Sequence, residues 1–208
     1  MELKNKYDVA IIGGGISGLM AAYRLTEKDS GISVVLIEKG HEIDKRICPI
    51  IAKKTESCIR CPSCAIMEGM AGAGAFSDGK YVISTEYGGW LTDFLSQEVV
   101  IDYIEQADKV LVKYGAINER FMPSDELKRL CLQHDLHMSQ AQLKHLGTDS
   151  NFSTMRNMIE DLSKKIDILT DSMVTNVNKK TNAVMVLKDK SKEITISADN
   201  IIFAVGRV

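Results

Sequence analysis

Proline is scarce, with three residues in 208, which excludes long irregular linkers between separate domains. No charge of either sign dominates: 26 Lys and Arg stand against 28 Asp and Glu, a formal net charge of −2. The electrostatic footprint of a nucleic-acid binder, or of a protein drawn to an anionic membrane, is therefore missing. The longest apolar runs, such as "SVVLI" at 33–37, are strand-sized and too short to span a bilayer. The N-terminal "MELKNKYDVAIIGGG" sets charges before an apolar stretch, as a signal peptide does, but glycines end that stretch after four residues. Internal repeats and low-complexity tracts are absent, as are a serine-histidine-acid set and a carboxylate pair for hydrolysis. These absences predict a cytoplasmic globular chain with one sizeable core or two small ones, and no nucleic-acid or membrane partner. Five cysteines in such a chain favour metal or redox chemistry over structural disulfides.

The clearest positive signal is "YDVAIIGGGISGLMAAYRL". Val9–Ile12 reads as a parallel strand buried on both faces. Gly13, Gly15 and Gly18 then form G-x-G-x-x-G, with Gly14 and Ser17 inside it. Gly13 permits the tight turn, Gly15 lets the backbone approach a pyrophosphate, and Gly18 lets a helix pack closely on the strand. That helix, over about Ile16–Glu27, points its free N–H groups and positive dipole end at the phosphates. "ISVVLIEKG" gives a second buried strand ending in Glu38, twenty residues past Gly18, with Lys39 beside it. An acid there accepts hydrogen bonds from ribose hydroxyls and repels a 2′-phosphate, which disfavours NADP.

The fingerprint serves both FAD and NAD. At the other end of the chain, "IDILTDSMVTNVN", "AVMVLKD" and "KEITISADNIIFAVGRV" read as strands joined by "KKTN" and "KSKE" turns. A meander before a last strand ending in "IIFAVGR" resembles the FAD-binding domain of two-dinucleotide-binding flavoproteins. That resemblance implies that Ala204, Gly206 and Arg207 approach the flavin's phosphate and ribityl region, and that a backbone group of Val174 meets the adenine. "RICPI", "CIRCPSCAIMEGMAGAGAFSDGK" and "KHLGTD" resemble a narrower set, the bacterial FAD-dependent dehydrogenase family, over essentially the whole chain. Its members are longer, so the chain is expected to be the N-terminal part of such a protein. The fold expected is α/β: a Rossmann-like FAD-binding domain with a parallel sheet, a β-meander and a mostly helical insertion at about 92–165. The implied activity is an FAD-dependent oxidoreductase whose substrate or redox partner is unknown. Two alternatives stay open: an NAD-binding dehydrogenase domain, and a non-catalytic fragment that carries electrons or folds around a metal.

In related flavoproteins the segment after the second strand turns back over the FAD. Gly69, Gly72, Gly74 and Gly79 would let backbone amides face an anion or the ring. By the same resemblance Ser77 can donate to a phosphate or ribityl oxygen. Lys80 can offset phosphate charge or stabilise a reduced, anionic flavin. Asp78 either bonds the ribityl chain or fixes an Asp-Gly turn. Cys58, Cys61 and Cys64 give C-x₂-C-x₂-C, with Glu68 where a fourth cysteine would stand and Cys48-Pro49 as the remote candidate. That set admits an iron–sulfur cluster, a zinc ion, a Cys61–Cys64 redox dithiol, or reduced thiols with no site.

Between Thr92 and about Lys165 the pattern is helical. Val100, Ile104, Ala107, Leu111 and Tyr114 share a face, and Gly115 supplies a stop. Ser124 reads as an N-cap before Asp125 and Glu126. Leu127, Leu130 and Cys131 form a stripe expected to be core, and Met155, Met158, Ile159 and Leu162 form another that packs on the sheet. His134 and His137 are placed on one helical face. His145 reads as facing substrate or as solvated, and Trp90 as near a pocket or as a buried anchor.

Overall fold

The frame is a sheet of six strands whose central members are the two apolar runs named above. The computed structural model describes residues 3–87, 89–138 and 141–206. Strands β1 (Lys6–Ile12), β2 (Val34–Ile37), β5 (Asp167–Leu169), β6 (Ser172–Asn178), β7 (Ala183–Lys188) and β8 (Lys192–Phe203) lie in the order β5-β2-β1-β8-β7-β6. β5, β2, β1 and β8 run parallel, while β6 and β7 are antiparallel and form the expected meander. The long β8 serves both halves: Lys192–Ser197 pairs with β7, and Ser197–Phe203 runs beside β1. The stretch read as one strand from Ile166 to Asn178 is two, β5 and β6, broken at Asp171 (φ 51°). Asp171 donates its N–H to Gly40 O, so the break lets β5 pair with β2 while β6 starts the meander.

Why these residues make this sheet follows from burial. All four residues of β2 are buried, as a strand covered on both faces requires. Ala10, Ile12, Val35 and Ile37 join Val184, Val186, Ile196 and Ala198 in one apolar cluster. Helix α1 (Ile16–Lys28) packs on β1 and β2 and buries Leu19 and Ala22. Helix α4 (Thr148–Leu162) buries Met155, Met158 and Leu162, the stripe expected from the sequence, and leads the chain into β5. Tyr7 donates its hydroxyl to Asp167 at 2.6 Å, and burial first and that hydrogen bond second push the phenol up to about 12.

The chain divides into two compact units, one of residues 1–76 with 155–208 and one of Ser77–Thr154. The segment read as a helical insertion, about 92–165, contains helices α2 (Gln97–Lys113) and α3 (Asp125–Gln133) and all of α4. The second unit also has an antiparallel pair, β3 (Lys80–Ile83) with β4 (Gln142–His145). Helix α2 ends as its sequence predicts: Gly115 takes φ 116°, its N–H bonds Val112 O and that of Ala116 bonds Leu111 O. Ser124 caps α3, its hydroxyl accepting from Leu127 N at 3.1 Å. Three expectations fail here. The Leu127–Leu130–Cys131 stripe is not core: α3 buries no residue, and Leu130 is 50% exposed. A nine-residue helix with an apolar side carries that side uncovered among the described residues. His134 and His137 do not share a helical face, because α3 stops at Gln133 with His134 as its C-cap. Trp90 is not a buried anchor but is 79% exposed.

The second unit is held by charges rather than by apolar area alone. Asp108 of α2, nearly fully buried, forms an ion pair with Lys144 Nζ (2.7 Å, β4) and accepts from Tyr81 Oη (2.8 Å, β3) and Arg120 (3.0 Å). Burial pushes the Asp108 carboxyl up, but the hydrogen bonds from Lys144 and Tyr81 outweigh it and hold the group below its ordinary value. A depressed carboxyl contributes stability that is present above its unfolded value, near 4, and is lost as pH falls through the lower folded value. Asp108→Asn is expected to cost about 3–5 kcal/mol at pH 7, because Lys144 stays buried without its counter-charge. Urea titrations at pH 7 and near pH 3 check both statements: the gap between wild type and variant should narrow at the lower pH.

Candidate functional site

The C-terminal ends of β1, β2 and β8 meet at one edge of the sheet, where open parallel sheets bind ligands. β1 runs into Gly13, whose φ of 108° lies in the region that favours glycine. A Cβ on Gly13 would stand 2.4 Å from Ala204 O, so the turn and the end of β8 are in backbone contact. Ala204 N–H donates to Ile12 O at 2.8 Å. Gly18 packs the first turn of α1 so tightly that a Cβ would stand 2.0 Å from Gly13 O. Gly15 is different: the nearest atom to an added Cβ is Gly72 Cα, 3.9 Å away. Gly15 caps α1 with no side-chain hydrogen bond, and the first turn carries no acid. The helix thus presents N–H groups and a positive end with nothing negative in its own first turn to satisfy them.

Glu38 closes β2 and is 7% exposed. Its Oε2 accepts from Gly14 N (2.7 Å), and its Oε1 from Gly40 N (2.9 Å) and Gly69 N (3.1 Å). One carboxylate therefore ties together the glycine turn, the exit of β2 and the returning segment at Gly69. That segment crosses the turn: Ala71 N–H donates to Gly14 O at 2.8 Å, and Met70, buried, lies against Gly14.

Two cavities open along this edge. One, of about 340 Å³, is lined by Ile37, Glu38, Lys39, Met173, Val174 and Val205. The other, of about 530 Å³, is lined by Gly15, Ser17, Gly72, Gly74, Ala204 and Gly206 among others. Gly13, Glu38, Lys39 and Val205 border both. Candidates drawn from distant stretches of sequence are thus brought to one edge: Gly13, Gly15, Ser17, Glu38, Lys39, Gly74, Val174, Ala204 and Gly206. Gly14 and Gly18 sit behind them, against Glu38 and the turn. Lys39 pairs with Glu68 at 2.9 Å. Arg207 lies outside the described residues.

Ser77, Asp78 and Lys80 belong to the second unit. There Gly79 N–H donates to Ser77 Oγ at 3.3 Å, and Lys80 pairs with Asp78 at 2.9 Å. His145 approaches the same carboxylate at 3.4 Å. The hydrogen bond from Lys80 is the main cause that draws the exposed Asp78 carboxyl below its ordinary value. Cys48, Cys58, Cys61 and Cys64 lie on the long connection after β2 as free thiols, Cys58 exposed and the others half-buried. Among the described residues no group of three or more His, Cys, Asp or Glu side chains is placed to hold a metal ion.

One residue went unnoticed in the sequence. Arg46 is 4% exposed, and its guanidinium donates to four main-chain carbonyls: Ala65 (3.0 Å), Ile66 (2.9 Å), Met70 (2.7 Å) and Gly72 (2.8 Å). It also lies over the Phe76 ring at 4.7 Å. The available signal was a basic residue eight positions past Glu38 in a largely exposed connection, which does not reveal backbone acceptors.

Comparison with known proteins agrees with this geometry. Residues 8–45, the first strand–turn–helix–strand and its acid, match the family model of the FAD dependent oxidoreductases. No curated protein sequence matches the chain. L-amino acid deaminase from Proteus vulgaris superposes with a TM-score of 0.53 at 16% identity, over 99% of this chain and 49% of that one. A variant of E. coli quinol fumarate reductase FrdA gives 0.56 at 13% identity, over 96% and 32%. Glycine oxidase from Geobacillus kaustophilus gives 0.50 at 14% identity, over 98% and 56%. At such identities the likeness is one of fold. The chain spans about half the length of the deaminase. The fold and its glycine-rich edge define a Rossmann-like dinucleotide-binding domain. More particularly, residues 8–45 carry the likeness to the FAD dependent oxidoreductase family model, and the whole fold is similar to that of the L-amino acid deaminase and glycine oxidase structures. Among the described residues no helix is long and apolar enough to cross a membrane.

Proposed function

We propose that the chain is the FAD-binding part of an FAD-dependent oxidoreductase. The observation that carries this reading is the convergence of the G-x-G-x-x-G turn, Glu38, Val174 and the end of β8 on two adjoining cavities. The residues fit FAD by their chemistry. The open approach at Gly15 and the uncapped α1 terminus suit a pyrophosphate. Glu38 uses three of its acceptor positions on amides and keeps capacity for a ribose hydroxyl. Val174, Ile37 and Met173 give the smaller cavity an apolar wall for a flat base. Gly74, Ala204 and Gly206, small and bordering the larger cavity, leave room for the ribityl end. Bound FAD would supply the acceptor for hydride or electrons, and the protein's part is to bind and orient it.

The near-neutral net charge of −2 supports a small-molecule substrate or redox partner over nucleic acid or a membrane surface. Five free cysteines support a cytoplasmic setting. The test is an absorption spectrum of the purified chain with analysis of acid-released cofactor. A two-band flavin spectrum with one FAD per chain is expected. A colourless chain whose melting temperature rises with NAD and not with FAD would replace this reading by a nicotinamide one.

A further inference from the structure

A buried guanidinium without an ion-pair partner is costly, and among the described residues this chain keeps one beside the proposed cofactor edge. Among the described residues the polar partners of Arg46 are the four carbonyls of Ala65, Ile66, Met70 and Gly72. Burial pushes its pKa down, and the nearby Glu38 carboxylate opposes that shift. With an ordinary value above 12, the group keeps its proton at neutral pH. The four acceptors all belong to one short stretch that ends as the wall of the larger cavity. Gly69, Ala71, Gly72, Ala73 and Gly74 border that cavity, and Arg46 does not. Arg46 stands behind the wall.

We propose that Arg46 is a positioning residue for the cofactor, which it never touches: it fixes the Ala65–Gly72 wall against the glycine turn and so sets FAD affinity. This rests on the FAD reading above. The wall is gripped from two sides. Glu38 takes the N–H of Gly69, and Arg46 takes the carbonyls on either side of Ala71. Between these grips Ala71 N–H reaches Gly14 O, which registers the wall on the turn. Gly69 leaves the space the arginine stem needs, since a Cβ there would stand 2.7 Å from Arg46 Cδ. The planar fork of arginine supplies donors in several directions at once. A lysine ammonium is a single point of charge with three donors, and it does not reach four carbonyls spread over eight residues. Removing the guanidinium leaves buried carbonyls without donors and frees the wall from one grip.

The test uses the 208-residue chain as wild type, Arg46→Ala and Arg46→Lys. Three quantities are measured: FAD affinity by titration, melting temperature without FAD, and amide hydrogen exchange without FAD. Arg46→Ala is expected to weaken FAD binding by about 10- to 100-fold, the loss of one to two charge-assisted hydrogen bonds. Arg46→Lys should recover little of this. Added ethylguanidinium should restore binding to Arg46→Ala, which a general loss of stability would not allow. Exchange should quicken at residues 65–74 and stay unchanged in β1 and β8. FAD affinity equal to wild type in Arg46→Ala, or exchange that quickens uniformly, would overturn the proposal. If Arg46→Ala does not fold, Arg46→Lys carries the same comparison. If wild type binds no FAD, the functional reading fails by itself. The exchange arm then still decides whether Arg46 fixes the wall: local acceleration upholds that role and uniform acceleration ends it.

Discussion

Glu38→Ala is expected to lower the melting temperature of the chain by roughly 6–12 °C and to abolish FAD retention. The size follows from what the carboxylate does. It accepts from the N–H groups of Gly14, Gly40 and Gly69, and it is 7% exposed. A buried donor left without an acceptor costs about 1–3 kcal/mol. Water entering from the adjoining cavities relieves part of this, which sets the expected loss near 3 kcal/mol rather than the full sum. Domains are stable by only about 5–15 kcal/mol, so the loss is a large share of the whole. Glu38→Gln makes the finer point. An amide oxygen can accept from Gly40 and Gly69, but the amide nitrogen then faces the Gly14 N–H, donor against donor. Glu38→Gln should therefore lie between Glu38→Ala and wild type in melting temperature, while binding FAD poorly. Thermal unfolding with and without FAD on the three proteins measures this. A Glu38→Gln protein as stable as wild type would mean that the Gly14 contact is unimportant.

What was legible in the sequence is what local geometry dictates. The strand, glycine turn, helix and acid from Val9 to Glu38 form one continuous unit, and each residue type there answers a steric or electrostatic need of its neighbours. The meander was legible for the same reason, because "KKTN" and "KSKE" separate strands that pair with their immediate successors. Less legible was the division of Ile166–Asn178 into β5 and β6. Nothing in that run is a strong breaker, and the break is made by pairing to two different strands. The α3 stripe misled because period alone cannot say whether anything covers it: Leu127 and Leu130 have the spacing of a core face and are exposed. Arg46 was invisible because its partners are main-chain carbonyls, which every residue carries. The C-x₂-C-x₂-C spacing spoke clearly in the sequence, yet among the described residues its thiols form no ligand cluster. Spacing along a loop constrains distance only loosely, whereas spacing along a helix or strand fixes it.

The second and third glycines of the fingerprint should fail in different ways, and that difference separates folding from binding. Gly18→Ala puts a Cβ 2.0 Å from Gly13 O and 3.2 Å from Gly13 C, both backbone atoms of a turn locked to β8. Neither can yield without moving α1 off β1. Overpacking of this kind costs about 3 kcal/mol or more, so the apo protein itself should be destabilised or insoluble. Gly15 has φ −71°, a conformation open to any residue, and an added Cβ meets only Gly72 Cα at 3.9 Å. Gly15→Ala should cost about 1 kcal/mol, the loss of a tolerable N-cap. Gly15→Leu should fold as well, but it fills the space through which a pyrophosphate reaches the amides of α1. The expected result is a soluble Gly15→Leu protein with a cooperative melt and no FAD, beside a Gly18→Ala protein that fails before binding can be asked. Far-ultraviolet circular dichroism on heating, paired with cofactor analysis of the same samples, reads both. If Gly15→Leu kept FAD at full occupancy, the pyrophosphate could not lie at the α1 terminus, and the proposed binding mode would have to be given up.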